Sequence, residues 1–219
     1  RHHEPDDGDR VLHPPGAAGV KVFTKVAEGI AVADIVAQID RHPELWDEVN
    51  YRKVTPGTPH AEMSDIWVHY NDITKYGEDK RGLNDAHDAV WYPAAYKAPA
   101  LKKAIFEVMR LVEGERLGFV LITKIPPGGV IYPHRDAGWH VDYFDKFYLS
   151  LKSNPKAGFY CEEEALFPKA GELWRFDNRR LHWVKNEGDE ERMTLIVCIR
   201  TEKYEQHPQL GGVLCQQAG

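Results

Sequence analysis

The sequence predicts a mainly β fold of the α+β class, an antiparallel double-sheet jelly roll supported by N-terminal helices. Two patterns carry this expectation. Up to about residue 114 the strongest apolar periodicity is helical, as in Leu101, Ile105, Val108, Met109 and Val112. Beyond it, apolar residues alternate in short runs punctuated by Pro, Gly, Asn and Asp, the mark of closely spaced antiparallel strands. A third observation sets the scale. With 219 residues, 42 % of them hydrophobic, and no internal repeat or low-complexity tract, the chain can bury one core without metal or disulfide staples.

In chain order, residues 1–16 carry Asp6, Asp7, Pro14 and Pro15 without any period and are expected to form a flexible arm. A single domain should occupy 17–219, with its jelly-roll core at about 117–202. Val20 to Thr24 alternates like a strand. Ile35, Val36 and Ile39 then share a helical face as far as Pro43, which breaks or restarts the helix before a short turn at Leu45-Trp46. Asp65 to Tyr70 is aromatic and β-branched and reads as a strand closed by Asn71-Asp72. A polar loop with Gly77 and Gly82 follows, and the helix from Ala100 to about Gly114 should brace a sheet. The remaining strands are expected at Phe119 to Ile125, Val130 to His134, Phe147 to Leu151, Leu173 to Phe176 and Met193 to Arg200.

Composition excludes several classes. No stretch approaches the roughly 18 uninterrupted apolar residues of a membrane helix, so no membrane partner is expected. The formal net charge of −6 argues against wrapping nucleic acid, an affinity that Lys and Arg supply by displacing counterions, although a small basic cleft stays open. Cys161, Cys198 and Cys215 are odd in number and form no C-x-x-C pair, which supports neither a disulfide framework nor a thiolate zinc site and fits a reducing cytoplasm.

The chemistry concentrates after a Pro-Pro-Gly-Gly turn, in Val130-Ile131-Tyr132-Pro133-His134-Arg135-Asp136. In a strand, residues two apart project from one face, so His134 and Asp136 would form a chelating pair. His182, 46 positions beyond Asp136, supplies a third candidate ligand. Two imidazoles and one carboxylate on one face leave three adjacent octahedral positions free, the arrangement of non-haem Fe(II) oxygenases, whereas zinc prefers a closed tetrahedron. Ten positions after His182 comes Arg192, with Thr194 on the same strand face. A guanidinium fork beside a hydroxyl suits the far carboxylate of a dicarboxylic acid; the alternative is a strand-end arginine facing solvent.

The segments ITKIPPGGVIYPHRD, KFYLSL and GELWRFDNRRLHWVKN…ERMTLIV, within about Phe119 to Thr201, resemble the Fe(II)/2-oxoglutarate-dependent oxygenases, in particular their aspartyl/asparaginyl β-hydroxylase branch. The resemblance implies a double-stranded β-helix of the cupin-like kind and a hydroxylase using Fe(II), 2-oxoglutarate and O2, with release of succinate and CO2. It implies His134, Asp136 and His182 as iron ligands and Arg192 with Thr194 on the C5 carboxylate of 2-oxoglutarate. Thr123 falls where the branch places a further hydroxyl for the cosubstrate, and Lys146 and Tyr148 stand where it often has Arg-x-His near the C1 end. The animal β-hydroxylases lack the carboxylate ligand; Asp136 restores the full triad here and favours hydroxylation over halogenation, which needs that position vacant.

The substrate implied is a peptide or protein residue or a free amino acid. Trp139, His140 and Asp142 follow the ligand strand and are expected as a lip over the metal, with Trp67, Asn71, Arg175 and Arg179 lining the same mouth. Core packing is the alternative for Trp67 and Trp139, and an exposed loop position for His140. Glu162 to Glu164 reads as a solvated acidic loop and Cys198 as an inert small hydrophobe. Two other functions share the same residues: the same iron chemistry on a nucleobase or nucleotide, and a non-catalytic cupin-like protein binding a metal or small ligand. The first lacks a clustered basic stripe, and the second has no use for Arg192 and Thr194.

Overall fold

The computed structural model describes residues 22–162 and 164–201, so the arm expected at 1–16 and the chain beyond 201 lie outside the described residues. Strand β1 (Phe23–Ala27) and helix α1 (Ala33–Asp40) lead through the short α2 (Tyr51–Val54) to β2 (Ser64–Asn71) and β3 (Ala89–Trp91). Helices α3 (Ala94–Lys97) and α4 (Ala100–Leu111) precede β4 (Arg116–Ile125), β5 (Val130–His134), α5 (Trp139–Tyr143) and β6 (Asp145–Lys152). The chain closes with β7 (Ala157–Cys161), β8 (Glu164–Leu166), β9 (Leu173–Phe176), β10 (His182–Asn186) and β11 (Arg192–Arg200). The strands form a seven-stranded sheet, β1-β9-β6-β11-β4-β2-β3, and a four-stranded sheet, β5-β10-β7-β8. Every pairing is antiparallel, and the two sheets make the expected jelly roll.

The larger sheet is buried on both faces, and alternation along its strands sorts structure from chemistry. Val120 and Ile122 of β4, Phe147 and Leu149 of β6, and Leu195, Val197 and Ile199 of β11 pack against Ile35 and Ile39 of α1 and Leu101, Ile105 and Val108 of α4. The intervening residues, Thr123, Lys146, Tyr148, Arg192 and Thr194, therefore face the opposite way. A second apolar cluster lies between the sheets, where Phe23, Ile125 and Phe176 meet Ile131, Phe159 and Val184. The helical stripe of α4 thus braces the sheet, as its period predicts.

Several boundaries differ from the sequence expectation. The first strand starts at Phe23 rather than Val20, and Val20 itself lies outside the described residues. Strands β3, β7, β8 and β10 carry too few alternating residues to stand out, and they are recognised only by their pairing partners. Asp136 does not share a strand with His134, because β5 ends at His134. His182 is the first residue of β10.

The Pro126-Pro127-Gly128-Gly129 turn carries the chain from one sheet to the other. Gly128 takes φ of 77°, a left-handed conformation that costs a side-chain-bearing residue strain, and its N–H donates to Asn186 O at 2.8 Å. The buried Asn186 side chain donates back to Ile125 O and Pro126 O, each at 3.1 Å, and so fixes the origin of β5 on β10.

Candidate active site and metal centre

The three ligand candidates converge at the inner end of the smaller sheet. His134 and His182 are cross-strand partners of β5 and β10, with ring centroids 4.2 Å apart. A register shift separates this pair from Ile131↔Val184, so two β10 steps span three on β5. That bulge, at edge-strand Tyr132-Pro133, lets both Ile131 and His134 face inward and leaves Tyr132 47 % exposed.

Each imidazole is set in one tautomer. His134 Nδ1 lies 2.8 Å from Tyr132 O, and His182 Nδ1 lies 2.8 Å from Arg180 O. A carbonyl only accepts, so both Nδ1 atoms carry the proton and both Nε2 lone pairs remain for a metal. Asp136 is positioned by its N–H, which donates to Asn178 O at 3.1 Å. Its Oδ2 accepts from Lys146 Nζ and, at 2.8 Å, from Asn178 Nδ2, and its Oδ1 stays 3.5 Å from His134 Nε2. Ligand atoms from all three residues lie within 4.8 Å of one another. Two oriented nitrogens and one oriented oxygen fit a metal that keeps open positions, and among the described residues no cysteine joins the group.

The electrostatics agree. Burial opposes ionisation of Asp136, yet the Lys146 ammonium and the hydrogen bonds around it hold the carboxyl well below the usual carboxylate range. Burial likewise opposes a charged Lys146, but Asp136 keeps its pKa raised. Burial pushes the His182 imidazole down to about 4, leaving it neutral and ready to ligate.

Thr123, Lys146, Tyr148, Arg192, His134, Asp136 and His182 all line one inner chamber of about 40 Å³. Arg192 is 3 % exposed, makes no ion pair among the described residues, and its Nε is buried without a partner. Thr194, in register with Thr123 across β4 and β11, has its Oγ1 in the same condition. Burial alone pushes Arg192 down to about 10. A buried guanidinium with no counter-charge is costly, so the chamber suits an anion that the chain does not itself provide. A dicarboxylate reaching from the ligand set to Arg192 fits that requirement. The solvent-facing alternative for Arg192 is excluded by its burial.

An outer cavity of about 420 Å³ continues the chamber, sharing Arg52, His60, His134, Asp136, Lys146 and Ile196 with it. His140 lines this cavity, as expected of a lip residue. Six other residues expected at the lip or mouth do not. Trp67 is buried and packs at a tilt against Tyr70, 4.1 Å between centroids, and Asn71 is fully buried, where its Nδ2 donates to Leu83 O and Ala86 O to pin the following loop. Arg175 alternates with the inward Trp174 and Phe176 and so points away, pairing with Asp145; Arg179 pairs with Asp177. Both line a separate pocket of about 100 Å³, which Asp142 also joins. Trp139 packs instead against His87 at 4.2 Å and against Tyr143.

The polar cavity residues Arg52 and His60 escaped the sequence reading. They flank the Thr55-Pro56-Gly57-Thr58-Pro59 loop, which has no period and gives no local signal of a site. Phe159 was equally silent, because β7 is short. Cys198 lines the outer cavity, and burial pushes its thiol up to about 11, consistent with an inert group. Glu162 pairs with Arg180 at 2.7 Å. No helix among the described residues is long and apolar enough to cross a membrane.

The model of the aspartyl/asparaginyl beta-hydroxylase family matches residues 60–201. A search of curated proteins finds no match. Among solved structures, an oxidoreductase of the 2OG-Fe(II) oxygenase family from Burkholderia pseudomallei superposes with a TM-score of 0.51 at 12 % identity, covering 83 % of this chain and 85 % of that one. A collagen prolyl hydroxylase from Paramecium Bursaria Chlorella virus-1 has a TM-score of 0.45 at 12 % identity, covering 84 % of this chain and 97 % of its own. A Pseudomonas putida prolyl-4-hydroxylase gives 0.45 at 13 % identity, covering 83 % and 94 %.

Proposed function

The chain belongs to the aspartyl/asparaginyl beta-hydroxylase family, and on that premise we propose that it hydroxylates an unactivated C–H of an amino-acid side chain, in a peptide or protein or in a free amino acid. As a member of that family it is a hydroxylase-class oxidoreductase that works with Fe(II), 2-oxoglutarate and O2. The observation that carries the site assignment is the pairing, in one chamber, of a His-Asp-His set with a buried arginine lacking a counter-charge.

His134 and His182 would hold the metal through Nε2 and Asp136 through Oδ1, leaving Oδ2 to Lys146 and Asn178. Arg192, with Thr194 and Thr123 beside it, would hold the C5 carboxylate of 2-oxoglutarate. Lys146 and Tyr148 border the same chamber and would contact the cosubstrate nearer the metal, Lys146 doing so while it anchors Asp136. The bound metal supplies oxidative decarboxylation of 2-oxoglutarate to succinate and CO2, coupled to insertion of one oxygen atom of O2 into the substrate C–H. The protein's part is to orient both reactants and to exclude water, and Ile131, Phe159, Val184 and Ile196 give the chamber an apolar wall for that purpose.

Anaerobic mixing with Fe(II) and 2-oxoglutarate should produce the visible metal-to-ligand charge-transfer band of a chelated 2-oxo acid. The band should vanish in His182→Ala and require more 2-oxoglutarate in Arg192→Ala. A parent protein with no band that instead binds zinc or nickel tightly would overturn the reading.

A further inference from the structure

Arg52 lies outside the matched residues 60–201, yet its side chain borders both the inner chamber and the outer cavity. Its guanidinium is held in place on two sides, with Nη1 2.9 Å from the buried Asp65 Oδ2 and Nη2 3.2 Å from His60 Nε2. These bonds use two of its five N–H donors. Arginine only donates, so His60 Nε2 accepts and His60 Nδ1 carries the proton. That Nδ1 is buried with no acceptor among the described residues, and His60 stacks edge-on against ligand His134 at 5.0 Å. A preset guanidinium and an unmet imidazole N–H thus border the same space.

The charge around that space is unbalanced. Arg52, Arg135 and Lys146 line the outer cavity, while Asp136 is the one carboxylate among its lining residues. With the metal and the 2-oxoglutarate dianion in place, Arg192 is answered by C5, and the metal by C1 and Asp136. Lys146 shares Asp136 with the metal and Arg52 pairs with Asp65, so the metal, Arg192, Lys146 and Arg52 together carry five positive charges against four carboxylates, which leaves one positive charge unmatched. The opposite wall is apolar, built from Phe119, Leu121, Ile196 and Cys198. At about 420 Å³ the cavity has room for a molecule the size of an amino acid or for one side chain with its flanking backbone.

We propose that Arg52, supported by His60 and Asp65, is a second carboxylate site that receives the substrate, and that the substrate is a carboxylic acid whose carbon chain lies along Phe119, Leu121 and Ile196. This rests on the oxygenase reading above and deepens it. The carboxylate has two possible sources: the α-carboxylate of a free amino acid or peptide C-terminus, or an Asp or Glu side chain within a peptide.

The test uses the whole chain with Fe(II) and 2-oxoglutarate. Twenty L-amino acids are each compared with their C-amides, and N-acetylated, C-amidated peptides with internal Asp or Glu are compared with their Asn or Gln counterparts. Succinate release and perturbation of the charge-transfer band are read together. Acids should outperform their amides at least tenfold in KM, the arm that responds identifying the source. Because Arg52→Gln strands the buried Asp65, the charge-neutral Arg52→Gln/Asp65→Asn protein is measured beside Arg52→Lys. The double variant should keep the band and its 2-oxoglutarate requirement, raise the substrate KM tenfold to a hundredfold with a smaller change in kcat, and lose the preference for acids; Arg52→Lys should restore part of it. Amides that serve as well as acids, a panel in which no acid stimulates turnover, or an Arg52 variant whose 2-oxoglutarate requirement rises would each overturn this proposal while the band in the parent upholds the oxygenase reading. No band in the parent would overturn both.

Discussion

His134 and His182 face each other across the β5–β10 ladder, 4.2 Å between ring centroids, and each gives its Nδ1 proton to the carbonyl two residues before it. Two residues far apart in sequence are thereby presented as a ready-made pair of Nε2 donors. The arrangement costs nothing at the moment of metal binding beyond closing the last gap to Asp136.

Replacing Asp136 tests the ligand set. Asp136→Asn keeps an acceptor for Lys146 but removes the anionic oxygen, so Fe(II) affinity should fall more than tenfold and succinate release should be lost. Metal titration and product assay check this; full hydroxylation by the variant would rule out Asp136 as a ligand.

Arg192→Ala should raise the 2-oxoglutarate requirement about 10- to 100-fold, the range of a charge-assisted double hydrogen bond. It should also leave or improve thermal stability without cosubstrate, because the parent buries that charge unpaired. Titrating the charge-transfer band and melting the metal-free protein separate the two effects.

Lys146→Met should destabilise the metal-free protein by a few kcal/mol, since Asp136 then keeps only the neutral Asn178 beside it. Added Fe(II) or Mn(II) supplies a positive charge in Lys146's stead, so the melting temperature should recover further on metal addition than it does in the parent.

Acid should weaken the metal-free fold through its buried imidazoles. Burial lowers His182 from 6.5 to about 4 and His60 from 6.5 to about 2. Below pH 6.5 the unfolded chain takes up protons that the folded chain refuses, so stability is full above 6.5 and falls as pH drops toward 4. Each imidazole contributes at most about 1.4 kcal/mol per pH unit. Urea melts between pH 7 and 4.5 should show this slope, and His60→Gln should reduce it.

Asn186→Ala removes donors to Ile125 O, Pro126 O and Glu190 O from a site that is 1 % exposed. A loss of about 2–3 kcal/mol follows from stranding those carbonyls. Chemical denaturation measures the loss, and a shift of the His134 and His182 resonances would report movement of β5 on β10.

Much of the fold was legible because its signals are local. The stripe of α4 and the alternation of β4, β6 and β11 each reflect a face that must be buried, and that requirement is written in the order of residues. The same alternation placed Arg192 with Thr194 and Lys146 with Tyr148 on common faces. Strands β7, β8 and β10 were illegible because a short segment is a strand only by virtue of its partners.

For the site, the order of residues was enough to single out the candidate ligands and the candidate anion clamp: His134, Asp136, His182, Arg192 and Thr194 are residue types with few other uses in that combination. Tertiary structure alone decided their placement. Strand parity would align His134 with the exposed Tyr132, and the bulge at Tyr132-Pro133 overrides it. Parity likewise turned Arg175 away from the mouth, and the unpatterned 51–60 segment brought Arg52 and His60 into it. The physical reason is range: burial and alternation act between neighbours in sequence, whereas a cavity is assembled by contacts between residues whose spacing along the chain carries no pattern.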